Sequence, residues 1–166
     1  VQLLRKEKAE KSNRRPTGLL IMIRDSIADI LNATAKLKSV KAKVEHLQKH
    51  DAVPVRQVLR LIYDEDIEFL VPDSKPPFKE NNLIDLDTML YREARRLRIF
   101  FKGGGYDNLN KNRREMLFIQ LLEDLYPADA LLLSENLISH TPIKGLTKKT
   151  IETAFPTIFT DPLNFK

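Results

Sequence analysis

Apolar residues return every three or four positions along most of this chain, and the runs are broken by prolines and glycines. That spacing lines apolar side chains along one side of an α-helix and leaves the other side to water. Leu20, Ile23, Ile27, Ile30, Leu31 and Leu37 follow it and predict a helix over about residues 17–34. Leu37, Val40, Val44 and Leu47 continue the period among Lys36, Lys38, Lys41, Lys43 and Lys49, which predicts a second helix with a basic outer face. Asp51 to Pro54 interrupts the pattern. It resumes in VRQVLRLIY at 55–63, with Val55, Val58, Leu59 and Ile62 inward and Asp51 as the candidate cap.

The segment FLVPDSKPPF at 69–78 holds three prolines, which remove donors and fix φ, so no helix passes through it and an extended strap is expected. A helix from about Asp87 to Lys102 follows, stopped by Gly103, Gly104 and Gly105. The dense apolar band Met116, Leu117, Ile119, Leu121 and Leu122 predicts a helix over about 110–125, bounded by Pro127. Ala128 to Leu137 is expected to be helical with Pro127 tolerated at its start, and Thr147 to cap a short helix ending at Ala154 before Pro156. The fold class that results is mainly α: a compact multi-helix domain with a proline-rich extended strap and a basic N-terminal arm. Its divisions are an arm at 1–18, a helical N-terminal region at 19–50 and a helical core domain at 51–166. Phe100, Phe101, Leu117, Phe118, Leu121, Leu122 and Phe155 are expected to share one core.

The 166 residues contain no cysteine, which excludes a disulfide framework and a thiolate zinc site and fits a reducing compartment. The longest apolar run, Leu19 to Ile23, is far short of the roughly 20 residues that cross a bilayer, so neither a membrane span nor an export signal is expected. Lys and Arg exceed Asp and Glu by 28 to 23, and the sequence pI is near 9.4, a balance that leans towards anionic partners. Arg5, Lys6, Lys8, Lys11, Arg14 and Arg15 concentrate much of that excess in the arm. Together with Arg92, Arg95, Arg96, Lys102, Arg113 and Arg114 they are the candidates for contact with DNA, RNA or another partner. Arg92, Arg95 and Arg96 lie three and four apart on the expected helix, with Arg98 pointing elsewhere.

Catalytic signatures are weak. Asp64, Glu65, Asp66 and Glu68 are acids at a spacing that does not make them converge, and they read as a solvated helix end before a metal site. His46 and His50 are four apart but have no recognisable third ligand, and Ser134, Ser139 and His140 lack a nucleophile elbow. The glycine triplet matches no phosphate-loop pattern. A chain with no catalytic residues, metal or cofactor of its own is therefore expected: a binding protein, with Phe69, Val71 and Phe78 of the strap as candidates for docking on a neighbouring protein. A nucleic-acid-binding accessory factor is the alternative, and a metal-dependent nuclease resting on the acids is a further one.

Four segments, VLRLIYDEDIEFLVPDSKPPFK at 58–79 with its flanks, RRLRIFFKGG at 95–104, RREMLFIQLLEDLYPADALLL at 113–133 and IKGLTKKTIETAFPTIF at 143–159, resemble an uncharacterised protein family of T4-like tailed phages. The chain departs from that pattern at Tyr126–Pro127, in place of His-Pro, and at SENLI in 134–138, in place of a lysine-rich run. The resemblance carries no activity or cofactor with it. It implies a viral origin and action in the host bacterial cytoplasm or the phage virion; the partner expected from the binding-protein reading is a phage or host protein complex.

Overall fold

The computed structural model of the protein describes residues 25–72, 76–81 and 89–162. The basic arm and residues 17–24 of the first expected helix lie outside that range. Helix α1 (Ile27–Lys36) starts where the Ser26 hydroxyl accepts the Asp29 N–H at 3.0 Å. Ile27, Ala28, Ile30, Leu31 and Thr34 form its buried face. Helix α2 (Val40–Lys49) begins in the same way, with the Ser39 hydroxyl accepting from Ala42 at 3.1 Å. The expectation of a cap at Asp51 is corrected for α3 (Val53–Tyr63). Its N-cap position is Ala52, which makes no side-chain hydrogen bond, and Pro54 sits in its first turn, where the missing N–H costs nothing. Asp51 instead pairs with Arg56 at 2.9 Å.

The helix expected at 87–102 is α-helical in its described part only over α4 (Leu90–Glu93) and tightens to a 3-10 segment over Ala94–Ile99. The chain then doubles back, because Phe100 and Phe101 are claimed by the strap. Leu70 donates to the Phe100 carbonyl at 2.7 Å, Lys102 donates to the Glu68 carbonyl at 2.9 Å, and Phe69 and Phe101 form an isolated antiparallel bridge. The return is so close that a Cβ on Gly104 would lie 1.9 Å from the Arg98 carbonyl oxygen, so glycine is required there. Helix α5 (Lys111–Asp124) is capped by the Asn110 side chain, which accepts from Asn112 and Arg113 at 2.8 and 3.3 Å. Helix α6 (Pro127–Leu132) runs into a π-helical turn at Leu133–Leu137, and α7 (Lys148–Ala154) starts at Thr147, whose hydroxyl accepts from Thr150 at 3.3 Å.

One buried cluster joins Ile27, Leu31 and Leu47 to Leu59, Leu97, Phe118, Leu121 and Ile151, so the described parts of 19–50 and 51–166 share a single core. Phe100 packs against Phe118 with ring centres 5.1 Å apart, and Leu121 and Leu122 are fully buried; Leu117 is half-buried at the edge. No helix among the described residues is long and apolar enough to cross a membrane.

Candidate functional site

Among the described residues, several buried polar side chains hold the chain to itself. Asp129, in the first turn of α6, has one oxygen 2.9 Å from the Ala28 N–H and the other 3.0 Å from the Leu90 N–H. Amides in the first turn of a helix have no partner within it. A single buried carboxylate therefore caps the starts of α1 and α4, which lie 101 and 39 residues away in sequence. Burial pushes its pKa up to about 6, against the pull of the two N–H donors, and the Asp29 charge adds to the rise. Tyr63 donates to the Leu146 carbonyl at 2.6 Å and accepts from the Ile143 N–H at 3.0 Å, with burial raising its pKa to about 12.

Arg114 corrects a sequence expectation. Only 5% exposed, it cannot present its charge to a partner: its guanidinium donates to the carbonyls of Ile99, Tyr106 and Asp107 at 3.1, 2.7 and 3.4 Å. The planar fork of donors closes the turn between the 3-10 segment and α5. The other arginines are regrouped by the 3-10 winding, in which positions three apart overlie one another, so that Arg95 and Arg98 align and Arg96 does not. Arg96 pairs with Glu93 at 3.2 Å, and Arg98 lies 5.3 Å from the centre of the Tyr106 ring and donates to its hydroxyl at 3.3 Å. Arg92, Arg95 and Arg113 are exposed; Lys102 faces Glu68 at 3.6 Å with both side chains 65% in water.

The strap residues also turn inward. Val71 is buried, Phe78 packs on the core, and Phe69 is held edge-on to Phe101 and tilted against His140, with centres 6.4 and 5.2 Å apart. Docking of a neighbour on Val71 is thus corrected, because its side chain is buried; Phe69 and Phe78 are half-buried and give part of their apolar surface to the protein's own core. Arg5, Lys6, Lys8, Lys11, Arg14 and Arg15 lie outside the described residues, as do positions 73–75 of the strap.

The acids do not converge. Asp64 is nearly buried, pairs with Arg60 at 3.3 Å and accepts the Asp66 N–H at 3.1 Å, whereas Glu65, Asp66 and Glu68 point to solvent. Among the described residues no group of three His, Asp or Glu side chains is placed to hold a metal ion. His46 meets the Thr34 hydroxyl at 2.7 Å; burial lowers its pKa, and the nearby His50 and Lys49 lower it further against the opposing Asp25. A cleft of about 440 Å³ opens between the end of α3 and the turn before α7, with Glu65, His140, Lys144 and Lys148 on its walls. His140 is already committed there, its ring nitrogens 3.2 and 2.7 Å from the carbonyl oxygens of Ile62 and Ile67.

A group of exposed lysines lies on one flank. Helices α2 and α7 lie side by side: the Lys43 ammonium donates to the Gly145 carbonyl, and further along the Gln48 amide donates to the Ala154 carbonyl at 3.2 Å. Lys36, Lys38, Lys41 and Lys49 are exposed at the end of α1 and along α2, and Lys144, Lys148 and Lys149 are exposed at the start of α7. Lys148 is steadied over the Phe159 ring at 4.8 Å. The basic face of α2 is legible in the sequence but its pairing with α7 is not, because the two segments lie about a hundred residues apart.

Residues 30–138, more than half of the chain, match DUF6433, a family of unknown function. The protein belongs to the DUF6433 family. The DUF6433 match takes in most of α1, all of α2 to α6 and the π-helical turn, and leaves α7 outside it. Both clamps on the arginine segment, Asp129 and Arg114, fall within it. No curated protein and no solved structure matches the chain.

Proposed function

We propose that this member of the DUF6433 family is a non-enzymatic interaction protein that works as part of a larger phage or host complex, in the infected bacterial cytoplasm or on the particle. The observation that carries the reading is the division of labour among its polar groups. Asp129, Arg114, Tyr63 and His140 are each hydrogen-bonded to the protein's own backbone, while seven exposed lysines gather on the flank of α2 and α7. A molecule built in this way offers a rigid charged surface for binding. The resemblance to a family of T4-like phages supports the infected-cell setting.

Affinity capture of the full chain from phage-infected cells, with and without nuclease, tests the reading. Recovery of a defined complex in either condition is expected. Cleavage of polynucleotides by the purified protein with Mg²⁺ or Mn²⁺, abolished by Asp64→Ala with Asp66→Ala, would overturn it in favour of a nuclease, as would recovery of no complex at low salt.

A further inference from the structure

We infer that the flank formed by α2 and α7 is a docking surface for the phosphate backbone of a nucleic acid, an inference that rests on the interaction reading above and gives it a partner class. Its charge is mainly positive, with Glu65 on the cleft wall beside Lys144 and Lys148. Across 36–49 five lysines stand against one glutamate, and across 144–154 three lysines stand against one. None of the eight forms an ion pair with a described carboxylate.

The residue types discriminate between partners. Every cation on the flank is lysine, with no arginine, tyrosine or tryptophan in 36–49 or 144–154. The cores of protein–protein interfaces are enriched in aromatic residues, Met and Arg and are depleted in Lys. An ammonium is a compact, strongly hydrated point charge. It suits a backbone of phosphates, where binding is driven by counterion release and does not require the desolvated packing of a protein interface. The same composition argues against sequence reading, which relies on bidentate Arg, Asn or Gln at base edges.

The geometry fixes the backbone positions from which the lysines extend. The contacts from Lys43 and Gln48 bind α2 to α7 at two points along their length. The turn that carries Lys144 is seated against the end of α1: Gly145 has φ +93, and a Cβ there would lie 2.5 Å from the Ala35 carbonyl oxygen. Lys36, Lys38 and Lys144 are thereby gathered at one end of the flank. At 1.5 Å per residue α2 is about 15 Å long, and a DNA duplex carries about nine phosphate charges over that length, one per roughly 1.7 Å. The exposed lysines of the flank fall within the reach of the phosphates that a straight duplex turns towards one face.

Fluorescence anisotropy of the full chain with a labelled DNA duplex of about 20 base pairs, from about 50 to about 200 mM salt, tests the inference. Changing exposed Lys41, Lys49, Lys144 and Lys149 together to Gln is expected to weaken binding at least about tenfold and to flatten the log–log salt slope by about 3 to 4. Arg92→Gln with Arg95→Gln should leave affinity within about twofold. If the fourfold variant fails to fold by circular dichroism, the pair Lys144→Gln and Lys149→Gln carries the test, with a slope change of about 2. An unchanged lysine variant, or no binding by the parent at the lowest salt, overturns the inference. Polyglutamate bound more tightly than duplex at equal salt also overturns it, in favour of an acidic protein surface. In either case a nuclease-resistant complex recovered from infected cells leaves the interaction reading standing, whereas failure of both experiments removes the two together.

Discussion

Two stretches of this chain present cations on helical spacing, Arg92 to Lys102 and Lys36 to Lys49, and the fold treats them oppositely. The arginine segment is clamped at both ends from inside: Asp129 accepts the N–H of Leu90, where the segment starts, and Arg114 reaches the carbonyl of Ile99, where the 3-10 winding ends. Between the clamps Arg96 faces Glu93 and Arg98 lies against Tyr106. On the lysine flank only Lys43 and Lys148 are drawn to the protein, and the remaining ammonium groups stay in water. Side-chain chemistry explains the contrast. A guanidinium has several donors in a fixed plane and satisfies several carbonyls at once, which suits it to bracing a turn; an ammonium is too strongly hydrated to be drawn in cheaply.

The contrast is sharpened most by removing the clamps. Asp129→Ala leaves two buried helix-start amides without an acceptor, and a loss of about 3 to 5 kcal/mol in urea denaturation is expected; a loss below about 1 kcal/mol would break the account of a double cap. Arg114→Met keeps the packing of the stem and removes the hydrogen bonds to the carbonyls of the turn, for an expected loss of about 2 to 3 kcal/mol. The clamp at Asp129 also has a pH signature. Its carboxyl is held near 6 in the folded protein against an ordinary value of 3.8, so the folded state takes up a proton in that window before the unfolded chain does. The associated stability is fully present below about pH 4 and is lost as pH rises through about 6. Between pH 7 and pH 5 Asp129 should add about 1 kcal/mol, an increment that disappears in Asp129→Asn; equal pH profiles for parent and variant would contradict it. Smallest of all is the expected effect of the fourfold lysine change on stability, within about 0.5 kcal/mol, because those side chains support nothing inside. A larger loss would mean that the flank also holds the fold together.

Most helices were legible in the sequence because their signals are local. Apolar spacing located the cores of α1, α2, α3 and α5, and Thr147 capped α7 as its position suggested. The 3-10 winding at 94–99 and the π turn at 133–137 were not legible, since returns of three or four residues do not distinguish tight winding from wide. Nor could charge pattern reveal that Arg114 would be buried: its three acceptors are backbone carbonyls, which leave no trace in side-chain identity. Val71 and Phe69 looked available because prolines stiffen their segment, yet stiffness fixes a path without choosing which side faces the core. The partners of Asp129 and the pairing of α2 with α7 are contacts across 39 to about a hundred residues, beyond the reach of any local period.

The most direct measurement is amide-resolved NMR of the full chain as a DNA duplex is added at low salt. Docking on the lysine flank predicts that shift changes gather at residues 36–49 and 144–149 and leave 92–102 nearly still. Changes centred on 92–102 with the lysine flank unmoved would contradict it.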